Sequence, residues 1–107
     1  MSVDITQNGQ EYPIETITTD TNLDDTHYTV LIDTGLGNVT ATLPDATTCL
    51  GRIYYIKWIT AANTAKYDSA GGNIDGTAAA AGITLAAQYD CERVQSDGTQ
   101  WWRLATE

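Results

Sequence analysis

The stretch Arg52-Ile53-Tyr54-Tyr55-Ile56-Lys57-Trp58-Ile59 constrains this chain more than any other. It is rich in aromatic and β-branched residues, so it reads as a strand. Side chains alternate between the two faces of a strand. Ile53, Tyr55, Lys57 and Ile59 therefore share one face, and Arg52, Tyr54, Ile56 and Trp58 the other. Both faces carry apolar groups. That pattern belongs to a central strand, or to one whose second face meets a neighbouring subunit.

The rest of the chain follows the same grammar. In residues 38–43, Val39, Ala41 and Leu43 face one way while Thr40 and Thr42 face the other, the period of a half-buried strand. Pro44 ends that strand because it has no N–H to donate. Residues 45–51 form a connection with room for one helical or 3₁₀ turn. Further strands are predicted at 14–18, 27–33, 64–68 and 99–105, with one long or bulged strand over 83–96. Asp97-Gly98 marks a hairpin turn between the last two. The alanines at 78–81 are too few to nucleate a helix in water, so 76–82 is a loop or weak strand.

Eight or nine short strands, with turn signals every ~8–12 residues, predict an all-β fold. The expected architecture is an antiparallel β-sandwich or a barrel-like domain. The 107 residues suit one such domain at 14–107, preceded by a polar N-terminal arm at 1–13. Asn8-Gly9 and Pro13 punctuate that arm.

Charge narrows the partners. Fourteen acidic residues against five Lys and Arg give a net charge of -9. Nucleic acid needs clustered cations, so no nucleic-acid partner is expected. Anionic membrane surfaces are disfavoured for the same reason. An acidic chain suits a basic protein surface, or simply stays soluble. Residues 1–17 lack the basic and apolar regions of a signal peptide, and no apolar run approaches the ~20 residues of a membrane helix. Synthesis in a host cytoplasm is the expectation.

No catalytic centre can be named. His27 is the single histidine, and Ser2, Ser69 and Ser96 lie outside any nucleophile-elbow pattern. His27 reads as a strand-edge residue. Asp20, Asp24, Asp25, Asp45, Asp68 and Asp97 sit in or beside turn-like segments, where aspartate bonds its own backbone. The Asn73-Ile74-Asp75-Gly76 segment lacks the spaced acidic ligands of a calcium loop. Cys49 and Cys91 form no CxxC pair and are expected as free core thiols. No cofactor and no metal is expected. Trp101 and Trp102 must point to opposite faces of one strand, so one is core and the other meets solvent, ligand or a partner.

Residues 29–59, 73–77 and 86–104 resemble a β-domain of tailed-bacteriophage structural proteins: head decoration (cement) proteins, head fibres and tail-fibre segments. The likeness is carried by Leu43-Pro44, Gly51, Ile56-Lys57, Ile74-Asp75-Gly76, and Ser96-Asp97-Gly98 with Trp101. It spans roughly 27–104. The Trp101-Trp102 pair and the alanines at 78–81 depart from the pattern. The motif residues are turn and core positions, so the resemblance implies fold and assembly without catalysis.

What it implies is a virion structural protein, commonly trimeric. The expected role is a decoration protein on the capsid surface that binds the major capsid protein and stabilises the shell. Met1 stands only a short arm before the domain and nothing follows Glu107, which favours decoration over a fibre. Under that reading Val3, Ile5 and Tyr12 of the arm, with Arg52, are candidate capsid contacts. Strand alternation assigns Tyr54, Ile56, Trp58 and Trp102 to a subunit interface. The alternative is a fibre domain that recognises a host surface glycan, with Trp101, Trp102 and Gln100 as its platform.

Overall fold

The computed structural model describes residues 11–78 and 82–106. Nine strands follow in chain order: β1 Ile14–Ile17, β2 Thr21–Asn22, β3 Thr29–Ile32, β4 Val39–Leu43, β5 Ile53–Trp58, β6 Ala65–Ser69, β7 Ile83–Thr84, β8 Cys91–Ser96 and β9 Trp101–Thr106. One 3₁₀ turn, Ala46–Thr48, lies between β4 and β5 and is capped by the Asp45 carboxylate. The all-β expectation holds.

The sheets are mixed rather than antiparallel, and no closed barrel forms. A five-stranded sheet has the order β1-β3-β5-β8-β9, and a four-stranded sheet the order β2-β4-β6-β7. From β1 to β6, successive strands alternate between the two sheets. Each return to a sheet therefore adds a parallel neighbour: β1, β3 and β5 pair in parallel, as do β2, β4 and β6. Parallel strands need a long crossover, and here each crossover is itself a strand of the opposite sheet. Turn spacing alone cannot distinguish this winding from a run of hairpins. After β6 the chain changes habit. β7 lies antiparallel on β6, β8 antiparallel on β5, and β9 antiparallel on β8.

The inward faces make the core. Val30, Ile56 and Glu92 share one row across the larger sheet, and Ile17, Ile32 and Trp58 another. Val39, Ala41, Leu43, Ala65 and Tyr67 fill the opposite wall. Each large aliphatic side chain buried this way contributes roughly 1.5–3 kcal/mol.

The long strand expected at 83–96 is divided. Ile83 and Thr84 belong to the smaller sheet, and Cys91–Ser96 to the larger. Between them a turn carries the chain across: Asp90 accepts the Ala87 N–H at 2.9 Å, and Tyr89 adopts φ 73°. Residues 85–90 lack the apolar alternation of the flanking strands, and that break marks the crossing.

Among the described residues, Glu92 is the one buried acid, 5% exposed. Arg103 grips it with two hydrogen bonds, Nε to Oε1 at 2.8 Å and Nη2 to Oε2 at 2.7 Å. The Tyr67 hydroxyl donates to the same carboxylate from the opposite sheet. Burial, reinforced by that bond to Glu92, raises the Tyr67 hydroxyl far above its ordinary pKa. The cluster ties β6 to β8 and β9 through the core. Glu92→Ala would strand Arg103 and Tyr67 without an acceptor and is expected to cost about 3 kcal/mol. Tyr67→Phe removes one bond and should cost about 1 kcal/mol. Urea unfolding checks the order; equal, small effects from both would show the cluster to be idle.

A second prediction concerns Gly72. Its φ is +85°, and a Cβ there would lie 2.7 Å from the Thr99 carbonyl oxygen. Gly72→Ala should lower the unfolding free energy by more than about 1 kcal/mol, and Gly76→Ala, strained by φ +78° but meeting no atom within 4 Å, should cost less. The same denaturation series compares the two.

Candidate functional site

The outer faces of the two sheets differ sharply. The smaller sheet presents Thr40, Thr42, Lys66 and Asp68. The larger sheet presents Ile14 and Thr16 from β1, Thr29 and Leu31 from β3, and Ile53, Tyr55 and Lys57 from β5. Arg93 and Gln95 of β8 continue it, with Trp102 and Leu104 of β9. The only acids on these five strands, Glu15 and Glu92, sit at inward register positions, paired with Val30 and Ile56. The face is therefore apolar, aromatic and cationic, on a chain of net charge -9.

Aromatic contacts organise one end of this face. The Tyr12 and Tyr28 rings stack with centroids 4.5 Å apart, and Tyr28 tilts against Tyr55 at 5.4 Å. Arg93 closes the row, its guanidinium carbon 5.9 Å from the Tyr55 centroid. Ile14 is 65% exposed and Leu104 46%. Ile14 lies on one edge strand of the sheet and Trp102 and Leu104 on the other, with the tyrosine row on the same face.

The residues proposed from sequence distribute unevenly. Tyr54, Ile56 and Trp58 do not line a subunit interface: they are the inward side of β5 and lie in the core. Their polar ends are satisfied there. The Tyr54 hydroxyl donates to the Asp24 carbonyl at 2.7 Å, and the Trp58 indole to Thr34 Oγ1 at 2.9 Å. The sequence pattern could not say which apolar face was inner, and Tyr55 and Lys57 hold the outer one. Trp102 is on the exposed face, as strand alternation allows, at 41% exposure. Tyr12 is exposed, and Arg52 is half-buried at the entry to β5. Val3 and Ile5 lie outside the described residues.

The glycan platform of Trp101, Trp102 and Gln100 does not form. Trp101 is fully buried, its indole donating to the Pro44 carbonyl at 3.0 Å, and Gln100 Oε1 accepts the Gly76 N–H. Sequence reasoning missed Tyr28, Tyr55 and Arg93. The alternating position of Tyr55 was visible, but its pairing with Arg93 depends on register between distant strands.

The polar candidates serve the backbone. Ser69 donates to the Gly71 carbonyl and Ser96 to the Ala46 carbonyl. Asp75 accepts the Arg103 N–H at 2.8 Å. His27 Nδ1 accepts the Asp24 N–H at 3.1 Å, leaving Nε2 to face Glu15 Oε2 at 3.5 Å. Asp24 titrates below its usual value, chiefly because the Thr26 hydroxyl and N–H donate to it. Cys49 is buried and Cys91 half-buried, and no disulfide joins them. Among the described residues, no group of three or more His, Cys, Asp or Glu side chains is placed to hold a metal. No described helix is long and apolar enough to cross a membrane.

Asp97 fixes the exposed tryptophan. Its carboxylate accepts the Trp102 indole N–H at 2.8 Å and the Thr99 and Gln100 N–H groups at 2.8 and 2.9 Å. Those bonds, the indole first, hold its pKa below the ordinary carboxylate value. The folded state thus holds the Asp97 proton less tightly than the unfolded chain. Its stabilising contribution is complete above the unfolded value of ~4 and fades as pH falls through the lower folded value. Asp97→Asn should flatten the loss of stability below pH ~4, read by denaturant melts across pH. An unchanged slope would remove Asp97 from the acid response.

No protein-family model and no curated protein sequence matches the chain.

Proposed function

We propose that this chain is a virion structural protein that assembles with copies of itself, as a homotrimer, and decorates the capsid surface of a tailed phage. One observation carries the proposal: no strand of the five-stranded sheet places a carboxylate on its outer face, and Asp97, which reaches that face from the β8–β9 turn, is bound to the Trp102 indole. Copies that each bear a charge of -9 repel one another, so a self-contact must use a surface from which carboxylates are excluded. This face meets that condition and offers Ile14, Leu104 and Trp102 for burial.

The resemblance to phage β-domains supports the same reading. Its motif residues occupy structural positions here: Leu43 and Trp101 are core, Gly51 has φ 85°, and Asp75-Gly76 turns at positive φ. With the cationic and apolar groups directed to self-contact, the carboxylates of the loops are left for a basic shell surface. The role is one of binding and bracing, and no step of catalysis is assigned.

Light scattering over a range of protein concentrations tests the assembly. The expected mass is three times the 11.6 kDa protomer. Ile14→Glu places a carboxylate on the contact face and should return the mass to one protomer without loss of the β-sheet circular dichroism. Co-sedimentation with undecorated phage heads then tests the capsid role, and should be lost in the same variant. A monomeric parent at all concentrations would overturn the self-assembly.

A further inference from the structure

At the rim of the tyrosine row lies an open groove of about 400 Å³, bounded by Tyr12, Pro13, Tyr28, Asp25, His27 and Arg52. We propose that this groove binds a pyranose sugar bearing a carboxylate, as found in acidic polysaccharides. The inference goes beyond the structural role above, because it assigns the domain a ligand.

Three observations carry it. First, the groove has an apolar wall that is already rigid. Tyr12 and Tyr28 are stacked, with 20° between their planes, and Pro13 adjoins them. Such a wall suits the C–H face of a sugar ring, and the volume suits a small ligand. Second, Arg52 has no ionic partner among the described ion pairs. Beside it the Tyr54 hydroxyl donates to the Asp24 carbonyl at 2.7 Å. Its guanidinium borders the groove, and the fork of donors on that group is the geometry that recognises a carboxylate. Third, Asp25 and His27 line the same space. An exposed carboxylate accepts from sugar hydroxyls.

The composition also sets the selectivity. A simple anion would find Arg52 but would leave the tyrosine wall uncovered and Asp25 without a hydroxyl donor. A neutral sugar would cover the wall but leave the guanidinium unmatched. A uronic acid satisfies both.

Saturation-transfer NMR with methyl glucuronide and methyl glucoside tests the proposal on the intact chain. The expected result is transfer to the glucuronide ring protons, and at least about tenfold weaker binding of the glucoside, as a lost charge-assisted bond implies. Arg52→Gln should erase that preference, and Tyr28→Ala should abolish transfer to both sugars. Circular dichroism establishes that each variant is folded, and Thr42→Ala, on the outer face of the smaller sheet and away from the groove, should bind as the parent does. Equal glucuronide binding by Arg52→Gln would overturn the assignment. So would displacement by acetate at the same concentration as free glucuronate, which would mark a bare anion site, or absence of transfer from the parent. The oligomer mass reports independently on the assembly proposal, so the two can fail separately.

Discussion

The parallel pairing of β1, β3 and β5 is the constraint on which the rest of the structure depends. Parallel neighbours force the chain to leave the sheet and come back, and in this chain it comes back by way of the second sheet. Every strand up to β6 therefore faces a strand from its own winding across the core. That arrangement needs inward side chains that are apolar at the same register in successive windings, and Ile17, Ile32 and Trp58 meet the need. It also explains the short strands. A strand that must turn and cross after four to six residues cannot grow longer.

A winding of this kind has two ends, and each is treated with charge. At the starting end, β1 and β2 are edge strands. Glu15 occupies the inward position above Val30, where an apolar residue would invite further stacking, and it remains exposed beside His27. Inward-pointing charge is a known way of blunting an open edge. At the other end the chain abandons parallel winding for the antiparallel β8 and β9. Here the inward acid, Glu92, is buried and neutralised by Arg103, and Tyr67 brings the second sheet into the same cluster. One carboxylate keeps the stack from extending; the other fastens it shut.

Much of this could be read from the residues, and what could not has a common cause. β4 was plain from the alternation of Val39, Ala41 and Leu43, and the hairpin from Asp97-Gly98. The 3₁₀ turn after Pro44 was also within reach, since Asp45 followed by Thr47 and Thr48 supplies its cap. The pairing sense was not legible, because parallel winding and antiparallel hairpins use equally short strands and similar turn residues. β5 shows the consequence at the candidate site. Its two apolar faces predicted a central strand or one against a neighbouring subunit, and β5 is the central strand of its sheet, but only tertiary register could decide that Tyr54, Ile56 and Trp58 turn inward and Tyr55 outward. The row from Tyr12 to Arg93 joins residues far apart in the chain, so no local pattern announces it.

The distribution of acids links this architecture to function more directly than any motif. Asp24, Asp45 and Asp97 each bind neighbouring N–H groups, so the turns that connect the sheets require carboxylates for local reasons. A fold made of many short strands has many such turns, and its net negative charge follows in large part from them. The charge then limits where the molecule can touch a copy of itself. The turns gather at the sheet ends, so the flat outer faces are where carboxylates can be avoided, and the strands of the larger sheet keep their two, Glu15 and Glu92, at inward positions. The groove beside Tyr28 lies where these two territories meet. There the aromatic row reaches the acidic turn of Asp24 and Asp25, and Arg52 stands between them. An apolar wall, a cation and an acceptor meet at this boundary, so the proposed ligand groove adjoins the proposed assembly face and shares Tyr12, Tyr28 and Ile53 with it.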